Sequence, residues 1–208
     1  MTSPPAPLWI ERQLRRRGIR DARVLAAMAA VPREQFVPED ERENAYDDAA
    51  LEIGSGQTIS QPYVVAFTCE ALQLSPDSHV LDVGTGSGYQ AAVLSELAGE
   101  VVSIERLPEL AALARRNLAA AGYERIDLRV GDGSRGVPDR APYDAIAVGA
   151  AAEDLPQALW EQLRQGGRIA IPLGSGDRQE LLVLERAADG PRLVTRRAVR
   201  FVPLVSGP

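Results

Sequence analysis

Apolar and polar positions along this chain follow two rhythms. Short apolar runs have the length of buried strands: 79–83, 101–105, 126–130, 143–148 and 168–172. Between them, apolar residues recur at helical spacing over 62–74, 89–98, 108–122 and 156–164. Pro108 opens the third of these helices and Gly122 closes it. This alternation predicts an α/β fold, a doubly wound and mostly parallel sheet with helices on both faces. The end of the chain differs. Residues 181–186 and 193–202 read as strands with no long helix between them, which predicts an antiparallel hairpin. Ahead of the regular part, Leu8 to Arg17 predicts a helix stopped by Gly18. A second helix, Ala22 to Ala30, is capped by Asp21 and stopped by Pro32. Residues 33–53 are rich in acids and turn formers, with Phe36 and Tyr46 as anchors to the core. Residues 1–7 are Pro-rich and expected to be disordered. The pattern predicts one domain over 1–208, with 1–61 as an extension and 62–208 as the core.

The strand at 79–83 runs straight into Gly84-Thr85-Gly86-Ser87-Gly88-Tyr89, and a helix pattern follows at once. Glycines at alternate positions in so short a loop allow positive φ and close approach of the backbone to a ligand. The dinucleotide fingerprint G-x-G-x-x-G/A would put its last position at Tyr89, where a bulky ring should crowd a pyrophosphate. The loop fits G-x-G-x-G better, the form in which S-adenosylmethionine sits. Glu105 ends the second strand, 17 residues beyond Gly88, where its carboxylate can accept both ribose hydroxyls. Asp132 and Gly133 end the third, where Asp132 can accept from an adenine amino group and the Gly133 N–H can read the ring. All of these fall at strand carboxyl ends, where open α/β sheets bind ligands.

Composition narrows the chemistry. A net charge of −6 argues against general nucleic-acid binding. All 23 basic residues are arginine, which excludes a lysine Schiff base or nucleophile. Cys69 is the only cysteine and lies in an apolar helical stretch, so a buried structural thiol is expected, with no disulfide or cysteine metal cluster. His79 is the only histidine, which removes multi-histidine metal sites, and its place just before the first strand makes a partly exposed structural role the expectation. No apolar run approaches membrane-spanning length and no signal-peptide pattern opens the chain, so a cytoplasmic protein without membrane partners is expected.

A second constellation, Gly54-Ser55-Gly56-Gln57-Thr58-Ile59-Ser60-Gln61-Pro62, precedes the first core helix. Its hydroxyl and amide side chains can surround a polar substrate. Equally, Thr58 or Ser60 can serve only as a helix cap. With Ala45-Tyr46-Asp47, Gly84 to Ala92 and Val199-Arg200-Phe201-Val202-Pro203-Leu204, this block closely resembles the protein-L-isoaspartate (D-aspartate) O-methyltransferase family. The opening, from Gln13-Leu14 through Val31-Pro32-Arg33-Glu34-Gln35-Phe36-Val37-Pro38, resembles it too. The resemblance implies a Rossmann-like methyltransferase fold with S-adenosyl-L-methionine as methyl donor. Its acceptors would be isoaspartyl residues of damaged proteins, methylated by a monomer. It implies Ser60 as the residue that orients the acceptor, with Thr58, Ile59 and Gln61 beside it. Asp82, Gly84, Thr85, Gly86, Ser87, Gly88, Glu105, Asp132 and Gly133 are implied to bind the donor, and no metal is implied. The sequence departs from the family's common pattern at Asp82 (often Glu), Glu52 (often Pro), Phe67 (often Met) and Gly149 (often Thr).

Overall fold

The computed structural model describes residues 7–176 and 178–207; residues 1–6 of the Pro-rich start lie outside them. A helical turn, Ile10–Leu14, tightens into Arg15–Arg17 and ends at Gly18, whose φ of 102° suits glycine. Asp21 caps α1 (Ala22–Ala30), its carboxylate accepting from the Arg23 and Val24 N–H groups. The acid-rich segment holds two short 3₁₀ turns, Arg33–Gln35 and Glu39–Asn44. It then contains a strand not expected from the sequence. β1 (Leu51–Gly54) pairs antiparallel with β2 (Gln57–Ile59) around Gly54-Ser55-Gly56, all three at positive φ.

The core helices are α2 (Pro62–Leu72), α3 (Tyr89–Ser95), α4 (Pro108–Ala120) and α5 (Gln157–Gln162). The strands between and after them are β3 (His79–Val83), β4 (Glu100–Glu105), β5 (Asp127–Val130), β6 (Tyr143–Val148), β7 (Leu163–Ser175), β8 (Arg178–Ala187) and β9 (Gly190–Val199). They form one sheet in the order β5-β4-β3-β6-β7-β8-β9. β3 through β7 pair in parallel, and β8 runs antiparallel to both of its neighbours. The expected parallel sheet with a C-terminal hairpin is therefore present. The hairpin is longer than its apolar residues suggest, because exposed arginines and polar residues continue the ladder. β9 stops at Val199 rather than 202. The chain there leaves the sheet edge and crosses toward Ala151, whose N–H donates to Val202 and whose carbonyl accepts from Leu204. Pro203 has no N–H to continue a ladder.

Period-two alternation sorts the strand residues onto two faces. Val80, Val101, Ala145 and Ala170 pack with residues of α2, α3 and α4. Leu81, Val102, Ile146 and Ile169 pack with Leu159 of α5 on the other face. Each of the buried valine, leucine and isoleucine side chains contributes about 1.5–3 kcal/mol of transfer free energy. Ile10, Leu14, Met28 and Phe36 join the first cluster, which fastens the N-terminal extension to the core. Sheet order reverses between β3 and β6, so a crevice opens at their carboxyl ends. Among the described residues, no helix is long and apolar enough to cross a membrane.

Candidate active site

The loop after β3 presents backbone to an open cleft of about 730 Å³, and Gly84 and Gly86 form part of its wall. Gly86 has φ +55°, and a Cβ there would sit 3.3 Å from Ile53 Cδ1. The Gly86 N–H donates to Glu105 Oε2 at 2.9 Å, and the Leu107 N–H donates to Oε1 at 3.0 Å. Glu105 thus ties the turn after β3 to the turn after β4. Each of its oxygens keeps a second lone pair, and the residue borders the cleft. Gly133 lies in the wall as well, and a Cβ on it would meet Val83 Cγ1 at 2.7 Å. Side chains at Gly86 and Gly133 would press on Ile53 and Val83, so backbone alone forms these parts of the wall.

Other predicted donor-binding residues lie behind this surface. Asp82 is fully buried and accepts from Gln90 Nε2 (2.8 Å) and Ser103 Oγ (2.7 Å). Ser103 Oγ in turn lies 2.6 Å from Thr85 Oγ1. Burial pushes the Asp82 carboxyl up to about 6, against the pull of its two hydrogen bonds. Asp82 therefore braces the loop from beneath rather than facing the cleft. Thr85 and Ser87 are buried, and the Ser87 carbonyl accepts from Asn117 Nδ2. Gly88 lies against α4, where a Cβ would be 3.0 Å from Leu118 Cγ. Asp132 has both oxygens engaged: Oδ1 accepts from the Ser134 N–H and hydroxyl, and Oδ2 accepts from the Gly207 N–H at 2.8 Å. Burial pushes its carboxyl up, but these hydrogen bonds outweigh it and hold it below the usual range. Tyr89 also differs from expectation. Its ring is buried against Phe36 and the Arg33 guanidinium, while the residue still lines the smaller cavity beside the glycine loop.

The hydroxyl block stands opposite the glycine loop. Thr58, Ile59 and Ser60 share a cavity of about 350 Å³ with Gly84 to Ser87. Thr58 and Ser60 also line a second cavity of about 700 Å³, with Gln61, Val64 and Ala198 to Val202 on its walls. Neither hydroxyl bonds to another protein group among the described residues. The N-cap of α2 is Gln61, with no side-chain cap bond, so the capping role does not apply to Ser60. The Gln61 amide donates to the Asp48 carbonyl at 2.8 Å and so holds the preceding segment. Ile59 is buried opposite Leu51 in the hairpin.

Some wall residues were not anticipated as binding groups. Gly149, just past β6, lines all three cavities, as Thr58 does. A Cβ on Gly149 would come within 3.2 Å of the Gly84 carbonyl, so the two loops at the switch point approach closely. Its place at the end of the strand beside β3 is the signal that could have found it. Val202 to Val205 close the far wall of the main cleft, which strand patterning does not foretell.

The two lone reactive residues lie away from the cavities described above. Cys69 is buried, which pushes its thiol up and away from the reactive thiolate. His79 sits at the opposite end of β3, with Nδ1 3.2 Å from the Pro142 carbonyl.

Comparison with known proteins agrees with this geometry. The family described as protein-L-isoaspartate (D-aspartate) O-methyltransferase matches residues 9–208. A protein-L-isoaspartate O-methyltransferase of Opitutus terrae is 55% identical over 195 residues, covering 93% of this chain and 84% of that one. One from Methanoculleus marisnigri is 51% identical over 196 residues, covering 94% and 89%. Among solved structures, one described as a Plasmodium falciparum protein-L-isoaspartate O-methyltransferase in complex with S-adenosyl-L-homocysteine superposes with a TM-score of 0.81. It is 26% identical and covers 99% of this chain and all of that one. A further protein-L-isoaspartate O-methyltransferase structure, 28% identical, gives 0.83 and covers 95% of this chain and 65% of that longer one. The chain belongs to the protein-L-isoaspartate (D-aspartate) O-methyltransferase family.

Proposed function

We propose that this chain moves a methyl group from S-adenosyl-L-methionine to the free carboxylate of L-isoaspartyl and D-aspartyl residues in damaged proteins and peptides, the step that begins their repair. The observation that carries this reading is the meeting of three cavities at Thr58 and Gly149. A donor held by the glycine loop would there face an acceptor held by the hydroxyl block.

The residues fit the donor. Gly84, Gly86 and Gly133 leave room for it, and Glu105 offers lone pairs for its ribose hydroxyls. Asp82, Thr85, Ser87 and Gly88 fix the loop's shape, and Asp132 fixes the turn that carries Gly133. When bound, the donor supplies an electrophilic methyl on a positively charged sulfur. The acceptor carboxylate is already ionised at neutral pH, so the chain needs no general base. Ser60 and Thr58 donate hydrogen bonds that hold the carboxylate oxygen toward the donor cleft. Ile59 and Val64 line the acceptor side with apolar surface, which helps to exclude water. We take the protein to act as a monomer in the cytoplasm without nucleic acid; the net charge of −6 supports the last point.

Labelled donor offered with an isoaspartyl peptide and, separately, with free carboxylic metabolites tests this. Base-labile methyl ester is expected on the peptide alone. Transfer to free metabolites with none to the peptide would overturn the reading.

A further inference from the structure

Arg197 stands on β9, the outer strand of the sheet, and the next two residues, Ala198 and Val199, line the acceptor-side cavity. The chain carries a net charge of −6, yet β9 holds three arginines and no acid. Two of the three are matched: Arg192 pairs with Glu185, and Arg196 pairs with Glu180 at 3.5 Å. Arg197 has no carboxylate partner among the described residues. Its guanidinium lies instead 5.1 Å from the Phe67 ring centroid and 5.7 Å from that of Tyr63, both on α2. Two aromatic rings hold this long, exposed side chain in place, which lowers the entropy cost of presenting it to a ligand. A carboxylate that lines that cavity, Asp48, is already paired with Arg17, whose guanidinium lies 3.7 Å from the Tyr63 centroid. Next to the cavity's β9 wall, Arg197 is thus a positive charge without a carboxylate partner among the described residues.

We propose that Arg197 is a specificity-determining residue that receives a carboxylate side chain flanking the acceptor residue, so that this protein favours damaged sites in acidic peptide contexts. The proposal rests on the isoaspartyl reading of the site. A strand rises about 3.3 Å per residue, so Arg197 begins about 7 Å from Val199 and reaches a flanking position roughly one to three residues from the acceptor.

Isoaspartyl peptides with a single glutamate walked through the neighbouring positions on either side, each beside its glutamine counterpart, provide the test. At one or more positions kcat/KM is expected to be about two- to five-fold higher for glutamate at low ionic strength, the scale of an exposed ion pair. Salt should erase the preference. Arg197→Gln should bring the ratio toward one, and Arg197→Lys should retain part of it. A side chain that only packs on α2 would lower both rates together and leave the ratio alone. A wild-type ratio of one or less at every position, or a ratio that Arg197→Gln leaves unchanged, would overturn the proposal while the isoaspartyl reading stands. Failure to methylate any of the peptides would overturn both.

Discussion

Ser60 lies between two cavities with a hydroxyl that no described protein group uses. Ser60→Ala is therefore expected to lower turnover by an order of magnitude or more while the melting temperature barely moves. A helix cap would show the opposite pattern, a loss of about 1 kcal/mol of stability with turnover intact. Measuring both on one variant checks this, and intact turnover would move the acceptor contact to Thr58. Asp82 makes a different kind of prediction. Its carboxyl is raised to about 6 by burial, so between pH 4 and that value the folded protein holds a proton that the unfolded chain releases. Stability is then lost as pH rises through this window, at up to about 1.4 kcal/mol per unit. The melting temperature of wild type relative to Asp82→Asn should fall from pH 4 to pH 7 and level off above. A difference that grows with pH in this window would mean that Asp82 is favoured as an anion in the fold.

At the level of elements, the turn after β3 and the turn after β4 are one unit, because Glu105 accepts from the Gly86 and Leu107 N–H groups. Glu105→Ala should weaken donor binding by roughly 1–3 kcal/mol, the scale of lost hydrogen bonds to a charged group. Calorimetry checks this, and unchanged affinity would make Glu105 a brace without a ligand role. Gly86→Val should abolish most binding, since its φ of +55° disfavours a β-branched residue and its Cβ would crowd Ile53 Cδ1 at 3.3 Å. The elements that the sequence made plain are those with a strong period. Apolar runs such as Val101 to Ile104 could only be buried strands, and Pro108 and Gly122 bracket α4 unmistakably. The β1–β2 hairpin escaped because its strands are four and three residues long and its turn puts Ser55 at positive φ. The site was legible in residue type and less so in direction. The sequence places acids at three strand ends, but only packing shows that Asp82 points inward and that Asp132 is held by Ser134 and Gly207. Gly149 and Val202 to Val205 join the walls through tertiary contact alone.

For the whole molecule, two apolar layers on either face of the sheet hold β3 and β6 side by side and so fix the crevice where the cavities meet. The N-terminal extension and the C-terminal tail close over the same crevice: Thr58 comes from one and Val202 from the other. A ligand that fills it binds the folded state only. S-adenosylmethionine and its demethylated product should each stabilise the fold, by about 2.7 kcal/mol at a hundredfold excess over Kd. NAD should leave the melting temperature unchanged, and a shift with NAD alone would reassign the cleft. Recognition of damage demands that the crevice distinguish two peptides of identical composition. The most direct test is methyl transfer from labelled donor to an isoaspartyl peptide beside its normal aspartyl twin. The geometry predicts ready transfer to the isoaspartyl form and background transfer to the twin; equal transfer to both, or transfer to the twin alone, would contradict it.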